Sequence, residues 1–225
     1  MTLAGTLKGV SRDTLRGRVY TELRAAIMKG TFEPGQALTV RGLAEAFGTS
    51  PTPVREALQQ LVAENALIAE PNRSYRIPRI TRDIFLDLRD TRAELEGLAA
   101  EKASANITPA AIRKLEQLID RMSRAIAQQD LKGYLSTNEA FHFAIYEAAR
   151  APILLRTIRM LWVQVGPTLN VLFHDLDLVE GLQDNHRAVL AAFSVRDPAA
   201  ARQAIRNDIL AAGDFIAHQP SVFES

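Results

Sequence analysis

The stretch that decides the fold runs Thr49-Ser-Pro-Thr-Pro-Val-Arg-Glu-Ala-Leu-Gln-Gln-Leu61. It opens with a helix-start signal, because Thr52 or Ser50 can cap a helix and Pro53 at the first helical position loses no hydrogen bond. Arg55 follows in the first predicted turn. Behind it, an apolar stripe recurs at helical spacing and comprises Val54, Leu58, Leu61 and Val62.

The neighbouring segments extend this helix into a small domain. Two helices are predicted before it, Thr14–Met28 and Val40–Phe47, the second of which stops at Gly48. After it, Leu67-Ile68 and Tyr75-Arg-Ile77 are predicted to form two short strands of a hairpin. Three helices followed by a hairpin predict a winged helix-turn-helix.

The remainder of the chain shows helical spacing and no strand alternation. Helices are predicted near 81–104, 108–128, 131–149, 153–173, 178–195 and 198–217. The predicted fold class is therefore mainly α, with an N-terminal winged helix-turn-helix and a C-terminal all-α helical bundle. We expect a flexible arm over residues 1–11, the winged domain over 12–78 and the helical domain over 79–225.

Composition narrows the class of protein. The 225 residues include no cysteine, which excludes disulfides and thiolate metal sites. No apolar run approaches the roughly 20 residues that span a bilayer, and the N-terminus lacks a signal-peptide core, so we expect a cytoplasmic protein with no membrane partner. Residues 1–80 hold 11 Lys/Arg against 7 Asp/Glu, whereas the rest holds 16 against 19. This excess of positive charge indicates that the N-terminal part binds a polyanion.

The ordered combination of these features predicts binding to double-stranded DNA. The recognition helix would be Thr52–Glu64, and the Arg55 guanidinium could bind guanine O6 and N7 in the major groove. Thr52 is placed for a phosphate or base-edge contact. Arg41 could reach the DNA backbone or the groove edge, and Arg73 at the wing tip could enter the minor groove. Each arginine alone is more often a solvated surface charge, so the prediction depends on the combination.

Several segments resemble the GntR-type regulators. They are Leu23–Gly30, Pro34-Gly35, Leu38, Arg41–Ala44 and Ser50–Leu58, while Leu88-Arg89 and Arg92–Glu96 resemble the FadR subgroup with its FCD-type effector domain. The similarity covers about residues 12 to 217. It implies a homodimer on a palindromic operator, with DNA contacts from Arg41, Thr52 and Arg55. Two positions depart from the family pattern, since Pro51 stands where arginine is usual and Ser74 where glycine is usual.

A second group of residues has the spacing of a metal site. Asn138 and His142 lie four apart and so share one helix face. His186 and Asp208 each lie eleven residues from Asp197, at a predicted helix–helix turn, which puts them at one level of an antiparallel hairpin. Two imidazoles, a carboxylate and an amide suit Zn²⁺, Ni²⁺, Mn²⁺ or Fe²⁺. Alternatively, both histidines are hydrogen-bonded helix residues without a metal.

The resemblance bears on this metal site too. Many members of the subgroup bind a metal through an Asp-x-x-x-His pair and two further histidines. Asn138 occupies the usual aspartate position, His142 and His186 match, and Asp208 falls where the third histidine is expected. One imidazole is lost and an amide is a poor donor, so we expect a weaker or altered metal site.

A cationic metal with open positions would bind a small organic acid as effector. Arg92, which matches an arginine of the family, could clamp the other end of this acid, and Arg89 is a second candidate. Arg92 could instead form a salt bridge with Glu96, one helical turn away. Repression relieved by a metabolite is the default expectation for such a regulator.

Two other functions remain open at this point. A metal-dependent hydrolase would use His142, His186 and Asp208 around an activated water. Against it, the sequence has no His-Glu-x-x-His segment and no evident general base. A helical scaffold that has lost DNA binding is suggested by Pro51 and Ser74. We expect His174 and His218 to be structural or solvent-facing, and Trp162 to lie in the core or at a dimer contact.

Overall fold

The N-terminal part forms the predicted winged helix-turn-helix in the computed structural model, which describes residues 15–71 and 74–224. Its helices are α1 (Leu15–Met28), α2 (Val40–Ala46) and α3 (Pro51–Ala63). Its strands are β1 (Ala37–Thr39), β2 (Ile68–Glu70) and β3 (Ser74–Arg76), which form an antiparallel sheet in the order β1-β3-β2. The predicted arm at residues 1–11 lies outside the described residues.

The C-terminal part is a helical bundle, and the mainly α fold class is confirmed. Its elements are α4 (Arg82–Asn106), α5 (Pro109–Ala127), α6 (Leu131–Ala148), α7 (Pro152–Val165), a 3-10 helix (Gly166–His174), α8 (Leu176–Ser194) and α9 (Pro198–Ala217). A last short 3-10 turn spans Pro220–Val222. None of the described helices combines the length and the apolar character needed to cross a membrane.

Side-chain caps start the bundle helices where the sequence places them. Thr108 accepts a hydrogen bond from the backbone N–H of Ala111, and Asp197 accepts one from that of Ala200. Each cap satisfies a donor that the first helical turn leaves unpaired, and proline follows both caps at a position that needs no N–H. These caps fix the ends of α5 and α9.

Three details differ from the prediction. Helix α3 begins at Pro51 rather than Pro53, because Ser50 and not Thr52 is the residue before the first turn. Strand β1 adds a third strand to the wing, paired with β3. The single helix predicted over 153–173 ends at Val165, because the Pro167 ring has no N–H to continue the α-helical ladder.

The packing of α8 and α9 sets the geometry of the bundle interior. The two helices are joined by the tight turn at Asp197 and lie antiparallel, and α9 also packs along α4. Helix α6 closes the interior from the side, with Phe141 and Ile145 fully buried. As a result α4, α6, α8 and α9 face a common interior.

The winged domain joins the bundle through a close backbone contact. Gly166, where α7 turns into the 3-10 helix, packs so tightly that a Cβ there would lie 2.3 Å from the carbonyl oxygen of Ile27 in α1. Nearby, Asn170 donates to the carbonyl of Phe32 at 3.4 Å, and Lys29 approaches Glu139 at 4.0 Å. The end of α1 is thereby held against the 3-10 helix.

We expect Gly166→Ala to loosen this junction. The added methyl meets backbone atoms of Ile27 and Met28, which cannot rotate away. Overpacking of this kind costs about 1–3 kcal/mol. Urea unfolding should show this loss of stability. The control is Gly181→Ala on α8, where a Cβ meets nothing within 4 Å and helix propensity adds up to about 1 kcal/mol. Equal effects of the two substitutions would contradict the steric interpretation.

Candidate functional site

Two of the predicted DNA-contacting side chains are exposed near the starts of α2 and α3. Thr52 is exposed on the first turn of α3, and Arg41 is exposed on the first turn of α2. The Arg41 side chain is 91% exposed and its Nε lies 3.0 Å from Glu45 Oε1, an exposed pair that contributes little to stability. Both side chains are thus free to meet a duplex.

Arg55 differs from these two residues. Because α3 begins at Pro51, Arg55 lies in the second turn rather than the first, and it is half-buried. Its Nε is inaccessible to solvent and has no hydrogen-bond partner among the described residues. A buried donor without an acceptor lowers the stability of the fold unless a ligand accepts its hydrogen bond. Tyr20 donates to Glu64 at 2.6 Å and so ties the far end of α3 to α1.

One predicted DNA contact and one departure from the family pattern fall in the predicted wing. Arg73 lies outside the described residues. The Ser74 hydroxyl donates to the carbonyl of Pro71 at 3.0 Å, so serine makes a turn contact that glycine could not. Arg76 bridges the wing by donating to Glu70 and to the carbonyl of Gly35.

In the bundle interior the structure brings together three of the four predicted metal ligands. His142 Nε2 lies 3.3 Å from Asp208 Oδ2, and His186 Nε2 lies 3.3 Å from Asp208 Oδ1. One ligand atom from each residue can be chosen so that all lie within 4.8 Å of one another. Asn138, one turn before His142, is also buried and lines the same cavity. His186 and Asp208 are equally far from Asp197 in sequence, and they do lie side by side on the antiparallel helices α8 and α9.

Burial controls the charges in this cluster. It lowers the pKa of His186 to about 4, a shift that Asp208 opposes and His142 reinforces. Burial alone would raise the pKa of Asp208, but His186, His142 and the nearby Arg92 guanidinium together outweigh it and hold that pKa below its ordinary value. Neither ring nitrogen of His186 forms a hydrogen bond within the described residues. The site thus holds a neutral imidazole beside an ionised carboxylate.

Arg92 is tied to a buried carboxylate beside the cluster. Its Nε donates to Glu96 Oε1 at 2.7 Å and its Nη2 to Oε2 at 3.4 Å, and its guanidinium lies 4.8 Å from the Trp162 ring. Trp162 Nε1 also donates to Glu96, at 3.0 Å, as does the Tyr146 hydroxyl. Arg92 thus uses two of its five N–H groups on Glu96, and the others remain for a ligand.

The predicted effector residues border a small cavity. Arg92, Arg89, Asn138, His142 and Asp208 all line it, and Arg89 is itself paired with Asp90 and Asp214. The cavity volume is about 40 Å³. Since one water needs about 10–15 Å³, an ion and a few water-sized groups fit without rearrangement.

Sequence reasoning missed Tyr146 and underrated Glu96. The signal for Tyr146 was present, because Asn138, His142 and Tyr146 are spaced four apart along α6 and share one face. For Glu96, the spacing to Arg92 indicated only a salt bridge as an alternative to effector binding. Only the packing of α4 against α6 and α7 shows that its side chain is fully buried.

Metal-stripped protein should lose stability as the pH falls from about 6.5 to 4. The His186 pKa of about 4 lies below the ordinary imidazole value, so the unfolded chain binds more protons in this window. The loss is at most about 1.4 kcal/mol per pH unit for one proton. Denaturant titrations at several pH values should show this slope in the wild type and in His174→Gln, an exposed control, but not in His186→Gln. An unchanged slope in His186→Gln would refute the assignment.

Comparisons with known proteins support a regulatory function. The description "Bacterial regulatory proteins, gntR family" matches residues 15–77, and "FCD domain" matches residues 87–211. The chain is 32% identical over 203 residues to the HTH-type transcriptional regulator McbR of Escherichia coli (strain K12), covering 89% of this chain and 90% of McbR. It is 26% identical over 210 residues to the HTH-type transcriptional repressor GlaR of the same organism, covering 85% and 90%.

A solved structure agrees with these matches. The structure of E. coli McbR/YncC has a TM-score of 0.87 and 30% identity, and covers 92% of this chain and 99% of that one. The proteins named in these matches are regulators, so the hydrolase interpretation is not supported, and the resemblance seen in the sequence is confirmed. The chain belongs to the GntR family of bacterial transcription regulators, carries an FCD domain, and is not an enzyme.

Proposed function

We propose that this regulator is a repressor that binds a palindromic operator as a homodimer and is released by a small organic acid. In this proposal residues 12–78 bind DNA, and residues 79–225 bind the acid and dimerise. The observation that carries it is the buried His142–His186–Asp208 cluster, of which His142 and Asp208 line the same cavity as Arg92. A bacterial relative at 26% identity is named a repressor, which supports repression rather than activation.

The proposed DNA contacts are those of Arg41, Thr52, Arg55 and Arg73. Thr52 and Arg41 are exposed at the helix ends that would face the duplex, and the half-buried Arg55 follows Thr52 by about one turn of α3. One recognition helix reads one half-site, so two copies are needed for a palindrome.

The proposed metal ligands are Asn138, His142, His186 and Asp208, and the residues fit a divalent cation. A nitrogen and an oxygen that bind one metal at about 2.0–2.2 Å lie about 3.3–3.6 Å apart at the tetrahedral angle. Both imidazole–carboxylate separations, at 3.3 Å, lie at the short end of this range. The unpaired nitrogens of His186 supply a second observation in favour. Bound here, Zn²⁺, Ni²⁺, Mn²⁺ or Fe²⁺ would supply a Lewis-acidic position for a carboxylate oxygen.

Arg92 would bind the other end of the acid, with Arg89 at the cavity edge. Because the cavity of about 40 Å³ is smaller than most metabolites, binding requires its walls to move. The 3-10 helix supplies one wall through Leu169 and Leu172, and it holds the end of α1 through Gly166. Displacement of that wall would therefore shift the winged domain and change the spacing of the two recognition helices.

DNA binding is tested by Arg55→Ala. A bidentate contact to guanine contributes about 1–3 kcal/mol, and a dimer loses two of them, so specific binding to an operator selected from random duplexes should disappear. Gel-shift or fluorescence titrations measure it. Arg113→Ala, an exposed arginine of α5, removes the same charge and should keep full affinity. Wild-type affinity should also fall steeply with salt, because phosphate contacts release counterions. Unchanged affinity in Arg55→Ala would refute the recognition-helix assignment.

Effector binding is tested by thermal shift on metal-stripped protein, with Zn²⁺, Ni²⁺ or Mn²⁺ crossed against a panel of small carboxylic acids. A specific ligand raises the melting temperature by mass action. We expect one acid class to stabilise only with metal, and Asp208→Asn to abolish that shift. Asp184→Asn, an exposed carboxylate of α8, should keep it. Stabilisation by acids without metal would assign recognition to Arg92 alone.

A further inference from the structure

A chain of hydrogen bonds leads from the Glu96–Arg92 pair to the histidine cluster. The Tyr146 hydroxyl donates to Glu96 Oε2, and the same oxygen of Tyr146 lies 3.0 Å from His142 Nδ1. All three side chains are buried, and Tyr146 lies one helical turn after His142 on α6. The chain of hydrogen bonds therefore runs Glu96–Tyr146–His142, and the far side of the His142 ring faces Asp208.

Counting donors places the protons along this chain. The Glu96 carboxylate accepts from Arg92 and Trp162, and as an ionised group it has no proton to give. Its contact with Tyr146 joins two oxygens, so the hydroxyl proton of Tyr146 must lie between them. That proton is then unavailable to His142. The Tyr146 oxygen can only accept from His142, whose Nδ1 must carry a hydrogen.

The position of this hydrogen decides what His142 presents to Asp208. With Nδ1 protonated, the neutral ring keeps its lone pair on Nε2, which lies 3.3 Å from Asp208 Oδ2. Two acceptors at this distance repel each other unless a cation lies between them. The other tautomer would put a hydrogen on Nε2, where a metal would have to bind.

We propose that Tyr146, held by Glu96, is a positioning residue that fixes the tautomer of His142 and so prepares its Nε2 as a metal ligand. This inference rests on the metal site of the proposed function. Outer hydrogen bonds of this kind orient metal-binding histidines and contribute about 10–100-fold to metal affinity. Glu96 also holds Arg92, so one carboxylate orients both the metal ligand and the proposed effector clamp.

The proposal is tested first by zinc affinity, measured in the whole protein by competition with a chromogenic chelator. Tyr146→Phe removes the acceptor of His142 Nδ1 and little volume, and should weaken zinc about 10–100-fold. Tyr20→Phe is the matched control, because it removes another tyrosine–glutamate hydrogen bond, that to Glu64, far from the cluster. It should bind zinc like the wild type. Equal affinity of Tyr146→Phe and Tyr20→Phe overturns the proposal.

The tautomer itself is read from the imidazole ¹⁵N shifts of metal-free protein at about pH 8.5, two units above the ordinary imidazole pKa. Wild-type His142 should carry its hydrogen on Nδ1, and Tyr146→Phe should transfer it to Nε2. A wild-type His142 protonated only on Nε2 overturns the proposal without any variant. If the wild type binds no zinc, the metal part of the proposed function fails, whereas the ¹⁵N spectra still decide the tautomer.

Discussion

The side chain of Glu96 is a charge without access to water, and the bundle interior is organised around it. A buried carboxylate is tolerated only when donors surround it, and here they come from α4 itself through Arg92, from α6 through Tyr146 and from α7 through Trp162. Loss of one donor would leave charge uncompensated in a medium of low dielectric constant. The three helices are therefore held at fixed positions, and these positions set the shape of the cavity beside them.

Much of the architecture could be predicted from local chemistry. Thr108 and Asp197 cap helices because their short side chains reach the first free N–H groups, and this depends on neighbouring residues alone. The pairing of His186 with Asp208 followed from counting residues on either side of one turn. Such features depend on sequence separation and helix geometry, both of which can be read directly.

Other features depend on which elements meet. Strand β1 is only three residues long and is defined by its pairing with β3, a contact that no local pattern encodes. The end of α7 at Val165 follows from Pro167, a signal that the single helix predicted over 153–173 did not use. The fully buried state of Glu96, and hence its several donors, emerges only when α4 packs against α6 and α7. The predicted DNA-contacting and metal-binding residues remain predictions, although the structure brings His142, His186 and Asp208 together.

The contact between Gly166 and the Ile27 carbonyl also bears on protein engineering. Chimeric regulators are made by joining the DNA-binding half of one protein to the sensing half of another. At this contact the two halves meet backbone to backbone, so Gly166 has no side chain that could adapt to a new neighbour. A sensing half taken from a donor protein would therefore need a glycine at this position, or the end of α1 would have to be exchanged together with it.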